Sequence, residues 1–242
     1  MMNADLTPTS LPDDLGFMVE VDGAYPLAEL TAALNSICDQ VERRGENSVL
    51  VLRLGTAPAE TREWPGEGSV QAVNRWERAV RRLEQLSAVS IVVAQGTCSG
   101  PALDLLLAAD FRIGTPDFEI LLPVNDGHFW PGMSLFRLVK HVGLARARRI
   151  VLWGTDIALD EARELGLIDQ VSDDVPDAVR TATVLTSRIS DRETAVRRQL
   201  LIEAGTCEYD DALGAHLAAC DRELRRLRRA GAAVGPSMAR EL

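Results

Sequence analysis

The chain predicts an α/β fold with a helical C-terminal region, and three observations carry that expectation. Two short apolar runs, Val49-Leu50-Val51-Leu52 and Ile91 to Ala94, have strand length and stand between segments of helical periodicity. The stretch Ser90 to Asp110, SIVVAQGTCSGPALDLLLAAD, reads as buried strand, small-residue loop and buried helix. From Pro176 onward every segment has helical spacing, broken near Gly205-Thr206. Strands alternating with helices imply right-handed crossover units.

The elements follow in order. Residues 1–15 are polar and proline-bearing and are expected to be disordered. Phe17 to Val21 alternates as a strand, and Pro26 opens a helix with Leu27, Leu30, Leu34, Ile37 and Val41 on one face. After the Val49 strand, which ends at Gly55, Thr56 to Gly68 is a loop. Val70 to Leu86 is an arginine-rich helix with Val73, Trp76, Val80 and Leu83 on its apolar face. Beyond Ala109, Phe111 to Gly114 and Phe118 to Leu122 are short strands, and Pro123 to Gly132 is rich in turns. Helices span Ser134 to His141, Ala145 to Trp153 (stopped by Gly154) and Ile157 to Leu165, and Ile168 to Val171 is the last strand. The core is therefore expected over 16–175, and 176–242 is expected to be a helical oligomerisation region.

Composition narrows the function. A net charge of −10 argues against general binding to nucleic acid or an anionic membrane. Basic residues still cluster, at Arg75, Arg78, Arg81 and Arg82, at Arg146, Arg148 and Arg149, and near the C-terminus; solvated helix faces account for each cluster first. Cys38, Cys98, Cys207 and Cys220 lack the spacing of a zinc site or a disulfide framework. The N-terminal residues lack the features of a signal peptide and no run approaches the ~20 apolar residues of a membrane span, so the expected location is cytoplasmic.

Strand, glycine loop and helix N-terminus together make a common anion-holding arrangement, because the first helical turn has unpaired N–H groups. Pro101 sits where one of those donors belongs, and proline has none.

The order of elements and three motifs resemble the crotonase superfamily, the enoyl-CoA hydratase/isomerase fold. The motifs are AQGTCSGPALDLLLAADFRIG, FEILLPVNDGHFWPGMSLFRLVKHVGLARARRIVLWG and LDEARELGLIDQV. The resemblance implies a crotonase-like (ClpP/crotonase) spiral of ββα units and an acyl-CoA thioester as substrate, with coenzyme A part of the substrate and no separate cofactor. It implies a trimer or hexamer, or a hetero-oligomer with a paralogue, in which Leu213, Leu217, Leu224 and Leu227 present an apolar face. Two backbone N–H groups hold the thioester oxygen in that family, and two glutamates handle water. One donor falls on Pro101 and the other near Gly66, Glu67 and Gly68; the glutamates fall on Asp104 and Val124.

Asp104, among leucines, is therefore the main acid–base candidate, with a structural hydrogen bond as the alternative; burial would raise its pKa. Asp126 and His128 are further catalytic candidates in the turn that closes over the substrate. Gly100, Pro101, Val124 and Trp130 would line the substrate site, and Thr97, Ser99 or His128 could supply a replacement donor. Arg75, Arg78, Arg81 and Arg82 could grip coenzyme A phosphates. A Ser99–His128 peptidase arrangement, as in ClpP-type relatives of the fold, would need an orienting acid as well. His141 and His216 read as structural or exposed. Within the superfamily, the LLPVNDGHFWPGMSLFRL segment resembles the accessory hydratase-like proteins of 3,5-dihydroxyphenylglycine formation. That likeness implies assistance to a type III polyketide synthase, and the rival expectation is a catalytically impaired partner subunit.

Overall fold

The computed structural model describes residues 8–12, 15–22, 25–44, 48–55, 64–65 and 68–234. In chain order the first elements are β1 (Thr9–Ser10), β2 (Gly16–Val21), α1 (Leu27–Arg44), β3 (Val49–Leu54) and α2 (Val70–Glu84). Then come β4 (Val89–Ala94), β5 (Thr97–Cys98), α3 (Pro101–Ala108), β6 (Phe111–Gly114), β7 (Glu119–Ile120), β8 (Val124–Asn125) and β9 (His128–Phe129). The remainder is α4 (Met133–Val142), α5 (Leu144–Trp153), β10 (Ile157–Ala158), α6 (Leu159–Glu164), β11 (Gln170–Val171), α7 (Val175–Thr186), α8 (Asp191–Ala204) and α9 (Tyr209–Val234).

The main sheet runs β1-β2-β3-β4-β6-β11, parallel throughout except for β1, which pairs antiparallel with β2. Strands of such a sheet are covered on both sides, so they read as continuous apolar runs. Alternation sorts their side chains: Leu50, Leu52, Leu54 and Val92 join the core beneath α1, α2 and α3. Val49, Val51, Ile91 and Val93 face the other way and meet Val175, Ala178 and Val179 of α7. A second, small sheet has the order β10-β7-β5. Each of β4 and β6 thus passes its chain to a short strand of that second sheet, and after β4–β5 the chain turns into α3.

Several boundaries differ from the sequence reading. Thr9–Ser10 forms a strand and Leu11 is buried, so 9–11 are ordered by pairing with β2; residues 1–7 and 13–14 lie outside the described residues. The strands β5 and β10 and the hairpin β8–β9 are two residues each, too short to show a period. The C-terminal helical region also breaks at 187–190. There Asp191, at the start of α8, accepts from the backbone N–H of Ser48 (3.2 Å).

The chain divides into two units, Met1–Thr194 and Ala195–Leu242. All strands and α1 to α7 belong to the first. In the second, α9 leaves Leu213, Leu217, Leu224 and Leu227 exposed. No helix among the described residues is long and apolar enough to cross a membrane.

The arginine run on α2 is largely engaged within the fold. Arg82 reaches Asp39 and Glu42 of α1, both at 2.6 Å, and Arg81 pairs with Glu84 at 2.7 Å. Arg75 and Arg78 are exposed. The solvated, ion-paired face accounts for this cluster, and a phosphate grip has only Arg75 and Arg78 left.

Candidate active site

Gly100 precedes α3 at φ 54° and ψ −124°, a conformation that glycine adopts without strain. A Cβ at this position would lie 3.2–3.4 Å from the Trp64 side chain. Pro101 then opens the helix, where its missing N–H costs the helix nothing. The N–H of Ala102 is turned onto the Ser99 carbonyl at 3.1 Å. The donor that an oxyanion would need at Pro101 is absent, and the next one along is already bonded. Among the side-chain replacements, Thr97 gives its hydroxyl to Glu119 at 2.8 Å. His128 is exposed, whereas the Ser99 hydroxyl is buried and has no partner.

Asp104 is only 3% exposed. Its Oδ2 accepts from Trp76 Nε1 at 2.8 Å, and its Oδ1 stands 3.7 Å from Arg137 Nη1. Arg137, itself buried, also pairs with Glu77 at 3.0 Å and Glu84 at 2.5 Å. Three carboxylates therefore share one guanidinium, and an excess of negative charge remains in a dry environment. Burial, reinforced by repulsion from Glu77, pushes Asp104 from 3.8 up to about 7, against the pull of Trp76 and Arg137. Burial alone would lower the Arg137 pKa; Glu84, Asp104 and Glu77 raise it overall. Sequence reasoning identified the carboxyl but missed Trp76, which it placed in the apolar face of α2, and Arg137, Glu77 and Glu84.

Trp64 was also missed. Its ring packs edge-on against Trp76 with centroids 5.9 Å apart, while its other contacts include Gly100. Asn125 holds it from both sides: Oδ1 accepts from the Trp64 N–H at 3.0 Å, and Nδ2 donates to the Trp64 carbonyl at 2.9 Å. Gly100, Trp64, Trp76 and Asp104 thus form a continuous packed chain from helix cap to carboxyl.

The other expected site residues are more dispersed. Val124 is half-buried in β8, and Asp126 and His128 lie on the exposed tip of the β8–β9 hairpin. Asp126 and Gly127 both have positive φ, 47° and 80°, the signature of a tight hairpin turn. No hydrogen bond joins Asp126 or His128 to Asp104 among the described residues. Trp130 is half-buried against the main core, with its indole over Gly132. Gly66 and Glu67 lie outside the described residues. Ser99 and His128 share no hydrogen bond, so the peptidase arrangement lacks its nucleophile–base contact. His141 is structural: Nε2 donates to the Leu107 carbonyl at 2.8 Å near the end of α3, and Nδ1 faces Arg112 at 3.3 Å. Burial holds its pKa below the usual histidine value.

Solved hydratase structures share this fold. An enoyl-CoA hydratase/isomerase from Marinobacter aquaeolei superposes with a TM-score of 0.75 at 19% identity, covering 97% of this chain and 93% of that one. An enoyl-CoA hydratase from Mycobacterium smegmatis gives 0.73 at 16% identity, covering 89% and 90%. At the sequence level, a protein of Amycolatopsis orientalis called enoyl-CoA-hydratase is 43% identical over 210 residues, 86% of this chain and 96% of that protein. The sequence profile described as "Enoyl-CoA hydratase/isomerase" matches residues 66–224. This chain belongs to the enoyl-CoA hydratase/isomerase family and has the crotonase fold.

Proposed function

We propose that the chain acts on a polyketide acyl-CoA thioester and assists a type III polyketide synthase in forming 3,5-dihydroxyphenylacetyl-CoA. The observation that carries this reading is Asp104, an acid at the head of α3 whose pKa of about 7 suits it to exchange a proton at neutral pH. Dehydration of a β-hydroxy thioester needs one proton taken from the α-carbon and one delivered to the departing hydroxyl. A single carboxyl does both: Asp104 accepts the α-proton, returns it to the hydroxyl oxygen, and C=C and water are formed. Val124 offers no second carboxylate, so the two-glutamate route to hydration is absent. Ser99 is assigned the donor role at the thioester oxygen, since its hydroxyl is buried and uncommitted. Coenzyme A enters as part of the substrate.

A second reading has its own observation. Trp64 packs against Gly100 and Asp104 is 3% exposed, as suits a catalytically impaired partner subunit that stabilises the synthase or a paralogue. The two are separated by adding the chain to purified synthase with malonyl-CoA and quantifying the aromatic product by chromatography. The catalytic reading expects stimulation that Asp104→Asn removes, from protein that melts like the wild type. Equal stimulation by Asp104→Asn establishes the partner subunit instead, and no stimulation by the wild type rejects both.

A further inference from the structure

The face of the main sheet opposite Asp104 contains a cavity of about 370 Å³ between the β1–β2 turn and α7. Leu11, Leu15, Met18 and Val179 supply much of its apolar wall, and Arg53 and Thr183 are its informative polar members. Its size lies in the range of small-molecule sites, which combine apolar walls with a few placed polar groups.

Both polar members have an atom that is buried and lacks a partner, Arg53 Nε and Thr183 Oγ1. Thr183 is 3% exposed. Helical threonines usually turn the hydroxyl back on the preceding turn. Thr31 and Thr186 do so, at 2.6 and 2.8 Å from the carbonyls of Leu27 and Ala182. Thr183 forgoes that bond. Arg53, on β3, projects to the α7 side because Leu52 and Leu54 take the other face. Its Nη1 lies 3.6 Å from Glu20, which is mostly exposed, and its Nη2 donates to Gln95 at 3.3 Å. The Nε–H is the buried donor of this guanidinium that has no partner, and it can only donate. Arg180 on the cavity wall is paired with Asp177.

We propose that this cavity is a binding site for a small apolar carboxylate, its tail among the leucine, methionine and valine side chains and its oxygens on Arg53 Nε and Thr183 Oγ1. An acceptor is required by the guanidinium N–H, and a negative charge is favoured because the adjacent Glu20 counter-charge sits in solvent, where it is screened. The site is independent of Asp104, from which the sheet separates it.

The test is calorimetric titration of the full chain with sodium octanoate, methyl octanoate and 1-octanol. Octanoate is expected to bind one to one, at least tenfold more tightly than either neutral probe. Arg53→Met should weaken octanoate about tenfold or more, the loss of a charge-assisted hydrogen bond. Thr183→Val should weaken it severalfold while leaving thermal stability equal or higher, because an unpaired buried hydroxyl is removed. Asp104→Asn should bind octanoate as the wild type does. If Arg53→Met unfolds, Val184→Trp, which adds bulk at the exposed rim, carries the test by blocking binding. Absence of octanoate binding, equal binding of methyl octanoate, or insensitivity to Thr183→Val and Val184→Trp each overturns the proposal.

Discussion

Replacing Asp104 with Asn tests whether this carboxyl keeps its proton near neutrality. Asp104 is held at about 7 against an ordinary 3.8, by burial first and Glu77 second, and it shares Arg137 with Glu77 and Glu84. In the unfolded chain the carboxyl ionises near its ordinary value. Between the two values the folded state binds more protons than the unfolded state, so stability falls as pH rises. The contribution is whole below pH 3.8 and gone above about 7. Each pKa unit is about 1.4 kcal/mol, so the wild type loses about 2–3 kcal/mol through this group between pH 5 and pH 8. Asn cannot ionise and still offers an oxygen to Trp76 Nε1. Urea unfolding of both proteins at half-unit pH steps supplies the measurement, and groups common to both cancel in the difference. The stability of Asp104→Asn relative to wild type should rise by about 2–3 kcal/mol across that range. Two curves that run parallel from pH 5 to pH 8 refute the charge arrangement.

Three further outcomes follow from the same geometry. Arg137→Met leaves Glu77, Glu84 and Asp104 without their shared cation and should cost about 3–5 kcal/mol in urea unfolding at pH 7, less at pH 5, where Asp104 holds its proton. Gly100→Ala forces a side chain into a positive-φ site and against the Trp64 ring, so thermal unfolding should show a loss of about 1–3 kcal/mol. Pro101→Gly restores a backbone N–H at the head of α3. It should raise dehydration of 3-hydroxybutyryl-CoA by about 10- to 100-fold in a spectrophotometric assay, with a stability loss of about 1 kcal/mol.

The parts of this molecule that were legible in the sequence are those with a local cause. Val49 to Leu52 and Ile91 to Ala94 are apolar on both faces because both faces are covered, and that pattern needs no knowledge of the partners. The burial of Asp104 was readable from the leucines on either side of it. Its partners were not: Trp76 Nε1 is 28 residues away, and Arg137 reaches Glu84 across 53. Such pairings are made by topology, and a tryptophan on an amphipathic face gives no sign of where its N–H points. Trp64 lies in a segment with no period at all, so nothing local marked it. The Asp126-Gly127 pair was different, since Asp-Gly between strand residues is a hairpin signal that could have been used.

The site departs from a hydratase at both poles of its charge, and the two departures are physically linked. Stabilising an enolate oxygen requires a donor at the head of α3, and Pro101 removes it. A carboxylate that abstracts a proton then faces a higher barrier, because the negative charge it creates has less to receive it. An acid poised near 7 lowers the demand differently, since it can return its proton within the same turnover and spare the thioester oxygen a full charge. Burial is what first keeps Asp104 in that range; Glu77 and, less, Glu84 add repulsion, while Trp76 and Arg137 pull the other way. On the proposed reading, chemistry at Asp104 rests on its burial and the charges behind α3 rather than on the loop in front of it. Trp64 packs against both Gly100 and Trp76, so the proposed reading assigns its indole the role of a gate in front of Asp104. Trp64→Ala tests that role. If the indole is only a gate, the variant should stimulate the synthase at least as well as the wild type despite a loss of about 3–5 kcal/mol of stability. If stimulation disappears while the folded fraction at the assay temperature is unchanged, the aromatic pair is part of the working surface and the gate reading fails.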